Sequence, residues 1–256
     1  MQDDSALDRA VAMVKDLRNR CDWDRVQTRE TLRPYLVEEI HELDAALASN
    51  DREAIRDEVA DLMLHLAWQL VLGAELGEFS PDEIADRLVA KMRRRHPHLF
   101  ALGPKEEWHN LKARERRSGI GTLAGLPTAL PALLLAFRLQ ERAAAMGFDW
   151  PDTSGPADKV REELAEVEIE LGRPGATEMQ PPNDLADELG DLLFAVVNLA
   201  RKAGVHPDLA LDRANRKFRD RFEQLEALAG QRGIGLESAG LQRLDELWEE
   251  VKRRSC

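Results

Sequence analysis

Four short stretches carry acidic residues at a spacing that can do chemistry. Glu38-Glu39-Ile40-His41-Glu42 and Glu58-Val59-Ala60-Asp61 form one set, and Glu162-Glu163-Leu164-Ala165-Glu166 and Glu188-Leu189-Gly190-Asp191 form another. On a helix, residues i and i+3 share a face. Glu39 with Glu42, Glu58 with Asp61, Glu163 with Glu166, and Glu188 with Asp191 therefore project in pairs, with Glu38 and Glu162 about 100° round, at the edge of that face. Two such helices packed antiparallel bring four carboxylates together, and each raises the pKa of its neighbours. A cation resolves that repulsion, and all-oxygen donors select a hard ion, Mg²⁺ or Mn²⁺, over zinc or copper. The bland alternative is a solvated helix face. Against it, Asp61 and Asp191 head the apolar runs of VADLMLHLAWQLVLG and LGDLLFAVVNLA, and an acid drawn into such surroundings is usually paired or metal-bound.

Basic residues recur at helical spacing too. Lys217 and Arg221 share a face in ANRKFRDRFEQL, as do Lys91 and Arg95 in VAKMRRRHPHLF. A lysine–arginine pair beside a carboxylate-held cation suits a polyphosphate: the metal bridges oxygens and the bases offset charge. An ordinary solvated edge with i,i+4 ion pairs is the competing reading. Trp108 and Trp248 can stack on a nucleobase or fill the core, and spacing alone favours the core. Other chemistries lack their residues: there is no Walker-type glycine loop, no G-x-S-x-G and no Cys/His nucleophile pair. Glu38-x-x-His41 echoes the di-iron bundle motif, which needs Glu-x-x-His on two helices, but Ala165 stands where His41 would repeat.

The elements that must position these residues are helical. Leu, Ala, Glu and Arg dominate, aromatics are 5%, and period-two strand patterns are absent. Helices are expected over Leu7–Arg18, Pro34–Ala48 with Pro34 in its first turn, Ala54–Leu76, Pro81–Arg95 with a Ser80/Glu83 capping box, and Trp108–Arg117. They resume over Pro131–Met146, Pro156–Leu171, Asp184–Ala203, Pro207–Ala229 and Gly240–Arg253. SGIGTLAGLPTALP breaks the pattern as a linker. The landmarks on either side of it repeat in order, at separations of 124 to 140 residues: the two acidic motifs, Lys91/Arg95 with Lys217/Arg221, and Trp108/Lys112 with Trp248/Lys252. That order implies a tandem duplication, with modules over 1–118 and 131–256 and a linker over 119–130.

At 256 residues the chain can bury a core without staples. Its formal net charge of −12 argues against a nucleic-acid partner. No apolar run reaches the roughly 18 residues of a membrane span, and MQDDSALDRA has no signal-like apolar stretch. With Cys21 and Cys256 the only cysteines, a reducing cytoplasm is expected.

With these motifs in place, the sequence resembles the MazG family of nucleoside triphosphate pyrophosphohydrolases, in the all-α NTP pyrophosphatase superfamily. CDWDRVQT, PYLVEEIHELDAAL, DEVADLMLHLA and RRRHPHLF resemble the family's N-terminal module, and GFDW, KVREELAEVE, DELGDLLFAVVNLARK and ANRKFRDRF its C-terminal one. The resemblance implies two tandem four-helix-bundle-like modules in an intertwined homodimer. It implies Mg²⁺-dependent hydrolysis of nucleoside triphosphates, NTPs and dNTPs alike, to monophosphate and pyrophosphate, as nucleotide-pool house-cleaning. The metal ligands it implies are Glu163, Glu166, Glu188 and Asp191, with Glu39, Glu42, Glu58 and Asp61 as their counterparts. Lys159, Asn198, Lys217, Arg221 and Trp248 would bind substrate, and Glu162, Glu163 and Lys159 would take part in catalysis. At the positions of Lys159 and Asn198 the first half has Tyr35 and Trp68, so the C-terminal module is expected to be the main catalyst. Two rival readings are a pyrophosphatase selective for one or a damaged nucleotide, and a non-catalytic nucleotide-binding scaffold.

Overall fold

A computed structural model describes residues 5–105, 121–127, 129–173 and 183–254. Every regular element among them is helical. The chain divides into two compact units, residues 1–107 and 108–256. The helix expected over Trp108–Arg117, and with it Trp108 and Lys112, lies outside the described residues, as does Cys256. No helix among the described residues is long and apolar enough to cross a membrane.

The first unit is built on α1 (Ala6–Arg20), α2 (Asp22–Arg25), α3 (Arg29–Ser49), α4 (Arg52–Glu75) and α5 (Pro81–Arg95). Helix α3 begins earlier than its proline implies. Thr28 accepts from the Thr31 amide while the Thr31 side chain accepts from the Thr28 amide, so this capping box starts the helix and Pro34 lies inside it. Asn50, left-handed at φ 56°, ends α3, and Asp51 caps α4 by accepting from the Glu53 and Ala54 amides. So tight a turn makes α3 and α4 an antiparallel hairpin, in which Glu42 and Glu58 stand equally far from Asn50. α1 packs on α4, and Val11, Val14, Leu32, Ala67, Trp68, Leu70, Val71 and Leu72 form the core. A Cβ on Gly73 would meet the Phe79 ring at 2.1 Å, so the glycine admits that ring. The Ser80/Glu83 capping box forms as expected. No residue of α5 is buried, and its Ile84, Leu88 and Val89 face outward.

The second unit comprises α6 (Ala132–Ala144), α7 (Ser154–Leu171), α8 (Asn183–Lys202), α9 (Pro207–Gln231) and α10 (Gly240–Arg254). α7 and α6 pack on α8, while α9 touches α6 and α8 and pairs with α10. Along α7, Pro156, Glu163, Val167 and Glu170 are buried, a stripe at helical spacing that carries Glu163 inward. Leu225, Leu228, Ala229, Leu247 and Val251 close the α9–α10 hairpin, with Trp248 against them. Trp248 is half-buried against this cluster, and its ring also meets Phe218 at 5.3 Å.

Candidate functional site

Each unit assembles three carboxylates across one helix pair. In the first, Glu39 and Glu42 of α3 meet Glu58 of α4; in the second, Glu163 and Glu166 of α7 meet Glu188 of α8. In both groups one oxygen from each residue lies within 4.8 Å of the others. Asp61 and Asp191, one turn further along and one methylene shorter, are exposed and fall outside these threesomes. Asp61 still acts on its group at a distance. Burial, then the charges of Asp61, Glu42 and Glu58, pushes the Glu39 carboxyl up, and burial with Glu42 and Asp61 does the same to Glu58.

The second group differs by one cation. Lys159 Nζ stands 2.5 Å from the buried Glu163 carboxylate and 2.8 Å from the exposed Glu162. Those bonds, to Glu162 first and Glu163 second, push the ammonium pKa well above the ordinary lysine range. Glu166 is pushed up by its burial and by Glu163 and Glu188, with Lys159 opposing. In the first unit Tyr35 occupies the equivalent place, its ring edge-on to Trp23 at 6.2 Å. Among the described residues, none of Glu39, Glu42 and Glu58 has an ion pair. Tyr35 stands four residues before Glu39 and Lys159 four before Glu163, about one helical turn, so the same place holds a neutral ring in one unit and a charged amine in the other.

Asn198 lies on the acidic face of α8, two turns beyond Asp191, and is 9% exposed. Its Oδ1 accepts from Arg201 Nε at 3.0 Å and Nη2 at 2.8 Å, leaving the amide group to present its N–H donors. Arg201 Nη2 also donates to Asp149 Oδ1 at 2.5 Å, and Lys202 Nζ to Asp149 Oδ2 at 2.9 Å. Burial works to raise the Asp149 carboxyl, but the hydrogen bonds and charges of Arg201 and Lys202 outweigh it and hold it below the usual carboxylate range. Asp149 belongs to the Gly147–Trp150 turn, which borders a hollow of about 320 Å³. The Trp150 indole rests where a Cβ on Gly155 would sit, 1.9 Å away. Sequence reading did not find this network. The i,i+3 step from Asn198 to Arg201 was a visible signal, whereas Asp149 is 52 residues from Arg201 and nothing local points to it.

Lys217 is exposed and Arg221 half-buried on α9, and neither forms an ion pair among the described residues. The Arg221 Nε is buried without a partner. Phe218, between them, stacks on Phe222 at 6.0 Å. The solvated-edge reading with i,i+4 ion pairs therefore does not describe these two residues. In the first unit the place of Asn198 is filled by Trp68, buried in the core under the Arg18 guanidinium at 5.3 Å.

Two all-α units, each presenting carboxylates from paired helices that could hold a metal ion, define a tandem helical protein. The family model of the MazG nucleotide pyrophosphohydrolase domain matches residues 27–100, which hold the first carboxylate group. That of phosphoribosyl-ATP pyrophosphohydrolase matches residues 139–218, which hold the second. The chain is 38% identical to the nucleoside triphosphate pyrophosphohydrolase/pyrophosphatase MazG of Thermotoga maritima, over 94% of each chain. It is 36% identical to the nucleoside triphosphate pyrophosphohydrolase of Escherichia coli K12, over 97% of each. With the protein of the same name from Mycobacterium tuberculosis it shares 30% identity over 62% of this chain and 49% of that one. The chain belongs to the MazG family.

Proposed function

We propose that this protein hydrolyses nucleoside triphosphates, ribo and deoxy, to the monophosphate and pyrophosphate in an Mg²⁺-dependent reaction, with Mn²⁺ as a substitute. The observation that carries the reading is the pair of three-carboxylate groups, held on facing helices in a chain whose full-length relatives bear that activity in their names. The donors fit a hard cation. All are oxygens, and the raised carboxyls of Glu39, Glu58 and Glu166 mark negative charge that lacks full compensation. Glu163, Glu166, Glu188 and Asp191 would hold the cation in the C-terminal module, and Glu39, Glu42, Glu58 and Asp61 in the N-terminal one. When bound, it supplies neutralising charge and Lewis acidity at phosphate oxygens.

The chain's own residues do the rest. Glu162, exposed beside Lys159, takes the proton of the water that attacks phosphorus in line. Lys159, Lys217 and Arg221 meet the phosphates and offset charge that grows in the transition state. Asn198 donates from its free amide edge, and Trp248 lies by the nucleotide. Tyr35 and Trp68 remove two of these polar groups from the N-terminal module, so the C-terminal module is the main catalyst. The outward Ile84, Leu88 and Val89 of α5, with Val59, Met63 and Leu66 of α4, are large apolar surfaces that a second copy would cover, in keeping with a homodimer. The cytoplasm is its place, and house-cleaning of nucleotide pools its role.

The test is to incubate the protein and Mg²⁺ with each of the eight common NTPs and dNTPs and resolve the products by anion exchange. Monophosphate with pyrophosphate from most substrates is the expected result. Cleavage of one substrate alone would replace breadth with selectivity, and diphosphate with free phosphate would overturn the reading.

A further inference from the structure

The two carboxylate groups are an internal comparison: similar acid geometry, with a side-chain cation in one and, among the described residues, none in the other. Lys159 Nζ lies 2.5 Å from the Glu163 carboxylate, whose side chain is 6% exposed, while the lysine itself is 40% exposed. A nearly buried anion is thus met by a charge on a flexible four-carbon stem that has room to turn. Tyr35 offers no charge to the first group.

We propose that Lys159 is the resident counter-ion of the C-terminal carboxylates, holding Glu163 until a divalent cation takes its place and then turning to the substrate phosphates. The inference rests on the reading of both groups as cation sites. It carries an order of events. A cation entering the C-terminal group must displace the ammonium, and by doing so frees a positive charge for the polyphosphate, so each ligand assists the other. Among the described residues, the N-terminal group has no resident ammonium to displace. The cation therefore binds the C-terminal group more weakly, by the strength of one half-exposed ion pair, about fivefold.

Mn²⁺ alone is the probe, with free ion counted by electron paramagnetic resonance. In full-length protein carrying Glu39→Gln and Glu42→Gln, so that only the C-terminal group binds, Lys159→Met is expected to tighten Mn²⁺ about fivefold. In protein carrying Glu163→Gln and Glu166→Gln, Tyr35→Lys is expected to weaken Mn²⁺ at the N-terminal group by a similar factor. Lys159→Gln repeats the first measurement, and circular dichroism checks the helical content of each variant. Unchanged or weaker Mn²⁺ binding in both Lys159 variants would overturn the inference, because a lysine that only props Glu163 in place would be missed by the ion. Failure of the parent protein to bind Mn²⁺ would instead overturn the cation-site reading beneath it.

Discussion

Asp149→Ala removes the anion on which two cations of α8 converge. Asp149 accepts from Arg201 at 2.5 Å and from Lys202 at 2.9 Å, and hydrogen bonds to charged partners contribute about 1.5–3 kcal/mol each. The pair would give roughly 3–6 kcal/mol if fully enclosed. The three side chains keep exposures of 12–22%, and solvent screening brings the expected loss to about 2–3 kcal/mol. Urea unfolding of wild type, Asp149→Ala, Arg201→Ala and the double variant measures it, because the cycle isolates the coupling. The pH dependence carries a sign. A carboxyl held below its ordinary range stabilises the fold fully above that range, and the increment is lost as pH falls through the depressed value. The gap between wild type and Asp149→Ala is therefore constant from pH 7 to about 5, and closes only below about 4. A coupling under about 0.5 kcal/mol, or a gap that closes near pH 6, would show that Asp149 does not anchor the two cations.

Further consequences can be measured in the same protein. Millimolar Mg²⁺ is expected to raise the melting temperature by roughly 5 °C through binding to the folded state, and the rise should vanish when Glu39, Glu42, Glu163 and Glu166 are all glutamine. Leu247→Ala opens a cavity beneath Trp248 in a cluster where Leu247 is 1% exposed, so denaturant unfolding should register a loss of about 3 kcal/mol. Ser80→Ala deletes the cap that receives the Glu83 amide, and circular dichroism should show α5 fraying with a loss of about 1 kcal/mol.

Helix identity was legible because the apolar spacing is strong along α1, α8 and α9 and the Ser80 box marks the start of α5. Where α3 begins was less so. Pro34 reads as a first-turn residue, yet Thr28 and Thr31 supply a reciprocal cap that starts the helix further upstream, and a cap made of two threonines is a weaker signal than Ser with Glu. The short α2 carries no periodic pattern at four residues and was not anticipated. The meeting of acids from two helices follows from i,i+3 spacing and the tight α3–α4 turn. That three of the four acids converge in each unit, with the aspartates outside, depends on side-chain length and helix rotation, which spacing does not encode. Lys159 stands four residues before Glu163, so their ion pair was readable. The reach of Arg201 and Lys202 to Asp149 was not, because it depends on how the Gly147–Trp150 turn lies across α8.

The most direct test sets three proteins side by side with ATP and Mg²⁺, products resolved by anion exchange: wild type, the Glu163→Gln/Glu166→Gln variant and the Glu39→Gln/Glu42→Gln variant. Wild type is expected to give AMP and pyrophosphate, with a fall of at least about 100-fold in the first variant and a change of no more than a few-fold in the second. Hydrolysis that survives loss of the C-terminal carboxylates, or that disappears only with the N-terminal ones, would overturn the assignment of catalysis to the C-terminal module.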